Sequence, residues 1–275
     1  MLSPKDFFDL RDSVFADIFD GVEYVWEALE KLKAYASGKV SPNVRGIADG
    51  SGIIVSETTV LCEGRVVKEG FSVRGGDASK GALEVIVDGK ALPGASVIYA
   101  GAVLMGENIY IGKGTVVEPG ALIKEPAYIG DNSEVRQGAY LRGNVMVGNG
   151  CVVGHTTEVK SSLMLGGSKA GHFAYIGDSI LGKVNLGAGT RLANLKVLDS
   201  GVVLRVEGRE YDTGLRKFGA IMGDGAETGC NTVTSPGTLL SKGCLTYPNS
   251  IIRGFHPEGT IVKVRQDQQT QKKRV

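Results

Sequence analysis

Three cations, Lys124, Arg142 and Lys160, stand eighteen residues apart, and each directly follows an aliphatic residue, Ile123, Leu141 or Val159. In a chain that returned to the same edge every eighteen residues they would form one column about 4.8 Å apart, repelling one another unless an anion lay among them. A phosphate suits such a column; the plainer alternative is a basic edge whose side chains splay into water. A second group bears on the choice. The chain has three histidines, and His172 sits inside "GGSKAGHFAYIGDSILGKVNLGAGT", with glycines on both sides. An imidazole set among glycines is either a packed corner or a base that a ligand approaches closely. Counted by eighteen, His172 is expected above Gly154, near the end of the basic column. His155 and His256 have no comparable setting, and the three histidines are badly spaced for the zinc site of a carbonic anhydrase.

The eighteen-residue return is itself legible. From Met105 every sixth residue is aliphatic for eleven steps, through Ile111, Val117, Ile123, Ile129, Val135, Leu141, Val147, Val153 and Val159 to Leu165. Two positions before most of these the residue is small: Thr115, Ala121, Ala127, Ser133, Ala139, Cys151, Thr157. One large and one small inward residue in every six describes a short strand and a turn, and three such units make one coil of a prism. The period resumes at Met222, Thr228, Thr234, Leu240, Thr246 and Ile252, so the solenoid is expected over 97–262. Forty-one glycines against eight phenylalanines and one tryptophan fit a mainly β, turn-rich chain.

The other segments differ in pattern. Residues 1–45 read as a helical N-terminal segment, with Ser3 as cap, Pro4 in the first turn, and Phe15, Phe19, Val22, Trp26, Leu29 and Leu32 on one face; Gly21 is expected to split it in two. Residues 46–96 read as an irregular β prelude with strand-like runs at 52–55 and 83–87. Between Asn194 and Lys217 the period breaks into two β-rich runs around a Ser-Gly turn, an excursion over 195–216 read as a hairpin or long loop ejected from the solenoid. Residues 263–275 form a polar tail.

Charge and cysteine usage narrow the function classes. Thirty-one basic residues nearly cancel thirty acidic ones, so no overall field draws the chain to nucleic acid or to a membrane, and any anion site must be local. Cys62, Cys151, Cys230 and Cys244 are scattered, which fits small buried thiols in a reducing compartment rather than disulfides or a metal site. With no apolar run near the roughly 18 residues of a membrane span and no leader-like start, the cytoplasm is the expected location.

"GSKAGHFAYIGDSILGKVNLGAGT" closely resembles the acetyltransferase domain of the bacterial bifunctional UDP-N-acetylglucosamine pyrophosphorylase/glucosamine-1-phosphate N-acetyltransferase, a left-handed parallel β-helix. The resemblance covers roughly residues 97–272 and is specific between 140 and 235. It implies His172 as catalytic base, Tyr175 and Asn185 as contacts to the amino sugar and, through "GAYLRG" and "TTEVKSS", Arg142 and Lys160 as ligands of the sugar phosphate. Downstream, "RKFGAIMGDG" implies a substrate role for Lys217, and Asn194 falls beside the acetyl transfer. Ala188, Cys230 and Arg265 are the implied acetyl-CoA contacts, with Lys263 an alternative to Arg265 near "QQTQK". No metal is implied for the transfer.

Departures from the family pattern set the remaining expectations. Residues 1–96 hold nothing like the glycine-rich phosphate loop of the family's nucleotidyltransferase domain, so a separate nucleotidyltransferase is the expected partner. The bacterial "CNYDG" is replaced by "ANLKV" and the excursion, which is similar to archaeal relatives of broader sugar preference. The chain is therefore expected to acetylate an amino-sugar-1-phosphate, glucosamine-1-phosphate first and galactosamine-1-phosphate second, in UDP-N-acetylhexosamine synthesis. A transferase for a nucleotide-linked amino sugar and a non-catalytic sugar-phosphate-binding or assembly module are the alternatives. The resemblance also implies a homotrimer with sites completed between subunits, and the N-terminal helices are expected to cap the first coil.

Overall fold

A computed structural model describes residues 1–47, 53–265 and 267–273. Strands of two to four residues, separated by tight corners, wind into a parallel β-helix with three faces. Its first face runs from Ser96–Ile98 to Ile261–Val262, its second from Val103–Met105 to Ile251–Ile252, and its third from Ile109–Ile111 to Phe255–His256. One residue of each strand on the second face turns inward, the middle one where the strand has three, so Leu104, Ile123, Leu141, Val159, Ile176 and Leu192 stack as one buried column. Burying such a column is the main driving force for coiling. Small residues fill the corners. The Thr115 hydroxyl donates to the Gly130 carbonyl and accepts from the Ser133 amide, and Ser133 repeats the pattern with Gly148 and Cys151. Each hydroxyl thereby satisfies backbone groups that the turn takes out of the strand ladder.

The six-residue count and the coils coincide from Ile111 to Val159 and part at both ends. Leu104, not Met105, pairs with Ile123 and is buried. Met164, not Leu165, pairs with Val147 and faces the core. Tyr140 pairs with Glu158, eighteen residues on, but Glu158 pairs with Tyr175 and Tyr175 with Arg191, seventeen and sixteen residues on. Corners can lose a residue because side-chain direction is set within each strand, not by the count between strands.

The N-terminal segment is less helical than its pattern implies. The Asp6 carboxylate accepts from the Ser3 amide and α1 (Pro4–Phe7) begins at the expected proline, but it lasts four residues. A 3-10 turn covers Ala16–Phe19, Gly21 turns the chain at φ +66°, and α2 spans Glu27–Lys39. Phe15, Phe19, Trp26 and Leu32 are buried from these separate elements. They do not cap the first coil. They pack on the third face, where Met146, Leu163, Leu165, Ile180, Ile221 and Leu239 form an outward apolar surface that would otherwise meet water. Val44, Ile47, Val55 and Leu61 close the first coil instead, and the Asn43 side chain bonds both the amide and the carbonyl of Ile111.

In the prelude, Thr59–Cys62 pairs with Arg65–Val67 and with Ser96–Ile98, and Phe71–Arg74, Glu84–Val87 and Lys90–Ala91 form a three-stranded antiparallel sheet. The run expected at 83–87 is thus a strand. Of the run at 52–55, Gly52 lies outside the described residues, and Ile54 makes only an isolated bridge to Val103. The excursion leaves and returns through a bridge between Leu195 and Lys217 and contains a hairpin of Val203–Val206 with Arg209–Asp212. Far from projecting freely, the hairpin buries Val202, Leu204 and Val206 in the cluster that holds Trp26, and Tyr211 meets Tyr24 edge-on at 5.5 Å. Residues 267–273 are exposed and carry no regular secondary structure, and no described helix is long and apolar enough to cross a membrane.

Candidate functional site

Four main-chain hydrogen bonds define a ridge at the corner between the first and second faces. The Phe173 amide donates to the His155 carbonyl, Gly189 to His172, Asn231 to Ala188, and Asn249 to Cys230, at 2.8 to 3.0 Å. His155, His172, Ala188 and Cys230 are therefore stacked coil on coil. Beyond Cys230 the ridge passes Pro248 and reaches the residues after Val262, so exposed Arg265 lies near its far end, ~19 Å from His172 at about 4.8 Å per coil. His172 stands above His155, not above Gly154, because an earlier corner, near Ser161, is one residue short.

The His172 side chain is exposed and makes no hydrogen bond among the described residues. Its ring faces Phe173 at 5.9 Å between centroids, and Phe173 meets the His155 ring at 5.5 Å. His155 in turn shares a 3.2 Å contact between Nδ1 and the Gln137 carbonyl. The two neighbouring glycines differ. A Cβ on Gly154 would stand 1.9 Å from the Gly171 carbonyl oxygen, whereas a Cβ on Gly171 would meet nothing within 4 Å. Gly154 is a packed position and Gly171 borders open space.

Across the second face the basic column takes the expected register, with Lys124 beside Arg142. The anions among these cations are carboxylates of the following coils. Arg142 Nη1 donates to Glu158 Oε1 at 2.6 Å, and Lys160 Nζ lies 3.7 Å from the Asp178 carboxylate. The hydrogen bond to Glu158 raises the Arg142 guanidinium above its ordinary value. Lys124 and Arg142 both lie over the Tyr140 ring, 5.4 and 5.8 Å from its centroid. Above Lys160 stands Gly177, where the column ends.

Missing a side chain, Gly177 leaves room for two others, since a Cβ there would lie 2.6 Å from the Tyr175 hydroxyl and 2.7 Å from the Asn194 amide nitrogen. Tyr175 donates to Asn194 Oδ1 at 3.3 Å, and Asn194 Nδ2 donates to Asp178. Burial, followed by the charges of Glu158 and Asp178, pushes the Tyr175 phenol above its ordinary value. Asp178 thus ties Lys160, Asn194 and, through Asn194, Tyr175 into one network.

Of the residues singled out in the sequence, Arg142, Lys160, Tyr175 and Asn194 share the second face, and His172, Ala188 and Cys230 share the ridge. Lys217 sits at the root of the excursion, exposed, where the adjacent Phe218 amide bonds the Asn194 carbonyl. Asn185 lies on the first face above Lys169, away from the tyrosine network. Four participants were not anticipated: His155, Tyr140, Glu158 and Asp178. Glu158 and Tyr140 were within reach, since both hold the outward position two before a column cation. His155 was hidden by the short corner. Cys230 is exposed, against the reading of buried thiols; Cys151 and Cys244 are buried, and burial pushes the Cys151 thiol up to about 12. Among the described residues no group of three histidine, cysteine or acidic side chains is placed to hold a metal.

Known proteins resemble parts of this chain. A family model described as the GMPPB C-terminal domain matches residues 123–208. Over 104 residues the chain is 36% identical to a bifunctional sugar-1-phosphate nucleotidylyltransferase/acetyltransferase of Sulfurisphaera tokodaii, a match that covers 38% of this chain and 26% of that protein. A bifunctional protein GlmU of Methanococcus maripaludis is 33% identical over 114 residues, covering 41% of this chain and 28% of its own length. The chain therefore spans little more than a quarter of these curated relatives. Among solved structures, the acetyltransferase domain of PglB from Neisseria gonorrhoeae in complex with acetyl coenzyme A matches 62% of this chain and 55% of its own, with 16% identity and a TM-score of 0.29.

Proposed function

We propose that this protein transfers the acetyl group of acetyl-CoA to the amine of an amino-sugar-1-phosphate, glucosamine-1-phosphate first and galactosamine-1-phosphate second. The observation that carries this reading is the paired charge on the second face. Arg142 with Glu158 and Lys160 with Asp178 present two cations and two carboxylates on the face that begins at the corner carrying the exposed His172 imidazole. An amino-sugar phosphate is itself a zwitterion, with an ammonium and a phosphate on adjacent carbons, and it can exchange partners with both pairs. The Sulfurisphaera tokodaii relative, whose name joins sugar-1-phosphate nucleotidylyl transfer to acetyl transfer, agrees.

In this mechanism Arg142 and Lys160 take the phosphate, while Tyr175 and Asn194 orient the ring. His172 accepts a proton from the 2-ammonium, and the freed amine attacks the thioester carbonyl. A main-chain amide near Ala188, one coil above the imidazole, stabilises the oxyanion before coenzyme A leaves as the thiol. The ridge through Ala188 and Cys230 to Arg265 is long enough for an extended coenzyme. Asn185 and Lys217, set apart within one chain, would contribute in a homotrimer in which neighbouring subunits complete each site.

A second reading, a non-catalytic sugar-phosphate-binding or assembly module, is favoured by one feature: the column cations already have carboxylate partners. Release of free thiol from acetyl-CoA across a panel of phosphorylated and unphosphorylated amino sugars separates the two. Turnover with an amino-sugar-1-phosphate is the expected result; binding without thiol release on any member of the panel overturns the transferase.

A further inference from the structure

Each turn of the histidine ridge contains one residue in the left-handed backbone region. The positions are Gly138, Thr156, Phe173, Gly189, Asn231 and Asn249, with φ between +48° and +75°. Glycine and asparagine enter that region at little cost, whereas a bulky side chain there is an outlier. Phe173, at φ +53°, is the one large side chain in the series, and it is 52% exposed, so burial of its ring does not account for it. Strain of this kind persists where the surroundings hold it, and it gathers at functional sites.

The ring supplies something that a hydrogen bond usually does. A general base is normally oriented by a partner on its second ring nitrogen, and His172 has no such partner among the described residues. Phe173 is the aromatic ring against it, at 5.9 Å and a 46° tilt, and the same ring leans edge-on at 73° against His155, one coil below. It therefore lies against both imidazoles.

We propose that Phe173 is a positioning residue, held in a strained backbone conformation so that its ring orients the His172 imidazole toward the substrate amine. The inference rests on the acetyl-transfer reading for its consequence in turnover, but its structural half stands apart from it. With only three histidines in the chain, the imidazole carbon-bound protons are readily resolved by NMR, and a His172→Ala spectrum assigns the signal of interest. The ring current of Phe173 should displace that signal in the parent protein.

The test uses the full chain with Phe173→Asn, which suits the left-handed position as Asn231 and Asn249 do, and Phe173→Tyr, which keeps the ring. Phe173→Asn should melt no lower than the parent, lose the displacement of the His172 signal, and drop kcat at least about tenfold with both KM values within about twofold. Phe173→Tyr should keep kcat within about threefold of the parent. An unchanged His172 signal in Phe173→Asn, or a parental kcat with the signal moved, overturns the proposal. So does a kcat loss that is matched by collapse of the fold. If the parent turns over no amino-sugar phosphate, the transferase reading fails, and the melting and NMR results still decide whether Phe173 orients the imidazole.

Discussion

Gly154 and Gly171 precede the two stacked imidazoles, His155 and His172, yet their missing side chains have opposite reasons. In Gly154→Ala the new methyl would stand 1.9 Å from the oxygen and 2.2 Å from the carbon of the Gly171 carbonyl, both backbone atoms of the next coil. Neither can yield without shifting a strand, and such overpacking destabilises by about 1–3 kcal/mol, or roughly 2–12 °C in Tm for a chain of this size. In Gly171→Ala the methyl meets nothing, and the glycine is not in the left-handed region. Narrowing the unfolded ensemble should then stabilise by about 0.4–1 kcal/mol, a rise of roughly 1–4 °C. If open space at Gly171 is where the substrate approaches His172, the same methyl displaces the reacting amine by about 1 Å and lowers kcat/KM by about a hundredfold, close to 2.7 kcal/mol of barrier. Differential scanning fluorimetry and thiol release from acetyl-CoA, run on both variants, read the two effects separately. A Gly171→Ala protein with parental kcat/KM refutes the role in substrate approach; one that melts as low as Gly154→Ala shows a packed corner instead.

Other consequences are checked as directly. His172→Ala, which removes an exposed side chain with no hydrogen bonds among the described residues, should shift stability by no more than about 0.5 kcal/mol while turnover falls by about 100-fold to 10,000-fold. A variant that is destabilised yet turns over normally would remove His172 from the mechanism. Arg142→Ala should raise KM for the sugar phosphate and leave that for acetyl-CoA nearly unchanged, so an unaltered preference for phosphorylated over unphosphorylated glucosamine contradicts the column's role. Thiol labelling of the folded protein should modify Cys230 first, and Cys151, buried and with its thiol pushed up to about 12, only on unfolding; mass spectrometry of labelled peptides gives the order. Asp17, which burial alone would raise, is held below its ordinary 3.8 by hydrogen bonds from the Tyr35 hydroxyl and the Lys39 ammonium. A depressed carboxylate contributes stability above its unfolded value, so the N-terminal segment should loosen as pH falls below about 3.8, and Asp17→Asn should lose that dependence in hydrogen exchange.

Much of the molecule follows from local pattern. Alternation within a three-residue strand decides which side chain points inward, so the columns through Ile123, Leu141 and Val159 and the small corner residues Thr115 and Ser133 could be counted off the sequence. The alignment of Lys124 with Arg142 belongs to the same category. Register across coils does not, because it accumulates through every corner, and one residue lost near Ser161 moved His172 onto His155 and set Gly177, not Asp178, above Lys160. Which charges close on one another is also decided by the folded side chains: Arg142 reaches Glu158, in a coil that keeps the counted register, and Lys160 reaches Asp178, so a column of bare cations becomes a field of paired charge. The destination of the N-terminal segment was likewise invisible: its apolar residues show that it packs, but only the assembled third face, with Met146, Leu163 and Ile180 pointing outward, supplies the surface on which it does so. Strand direction is set by neighbours in the chain, whereas partners across coils are set by the summed length of all the corners between them.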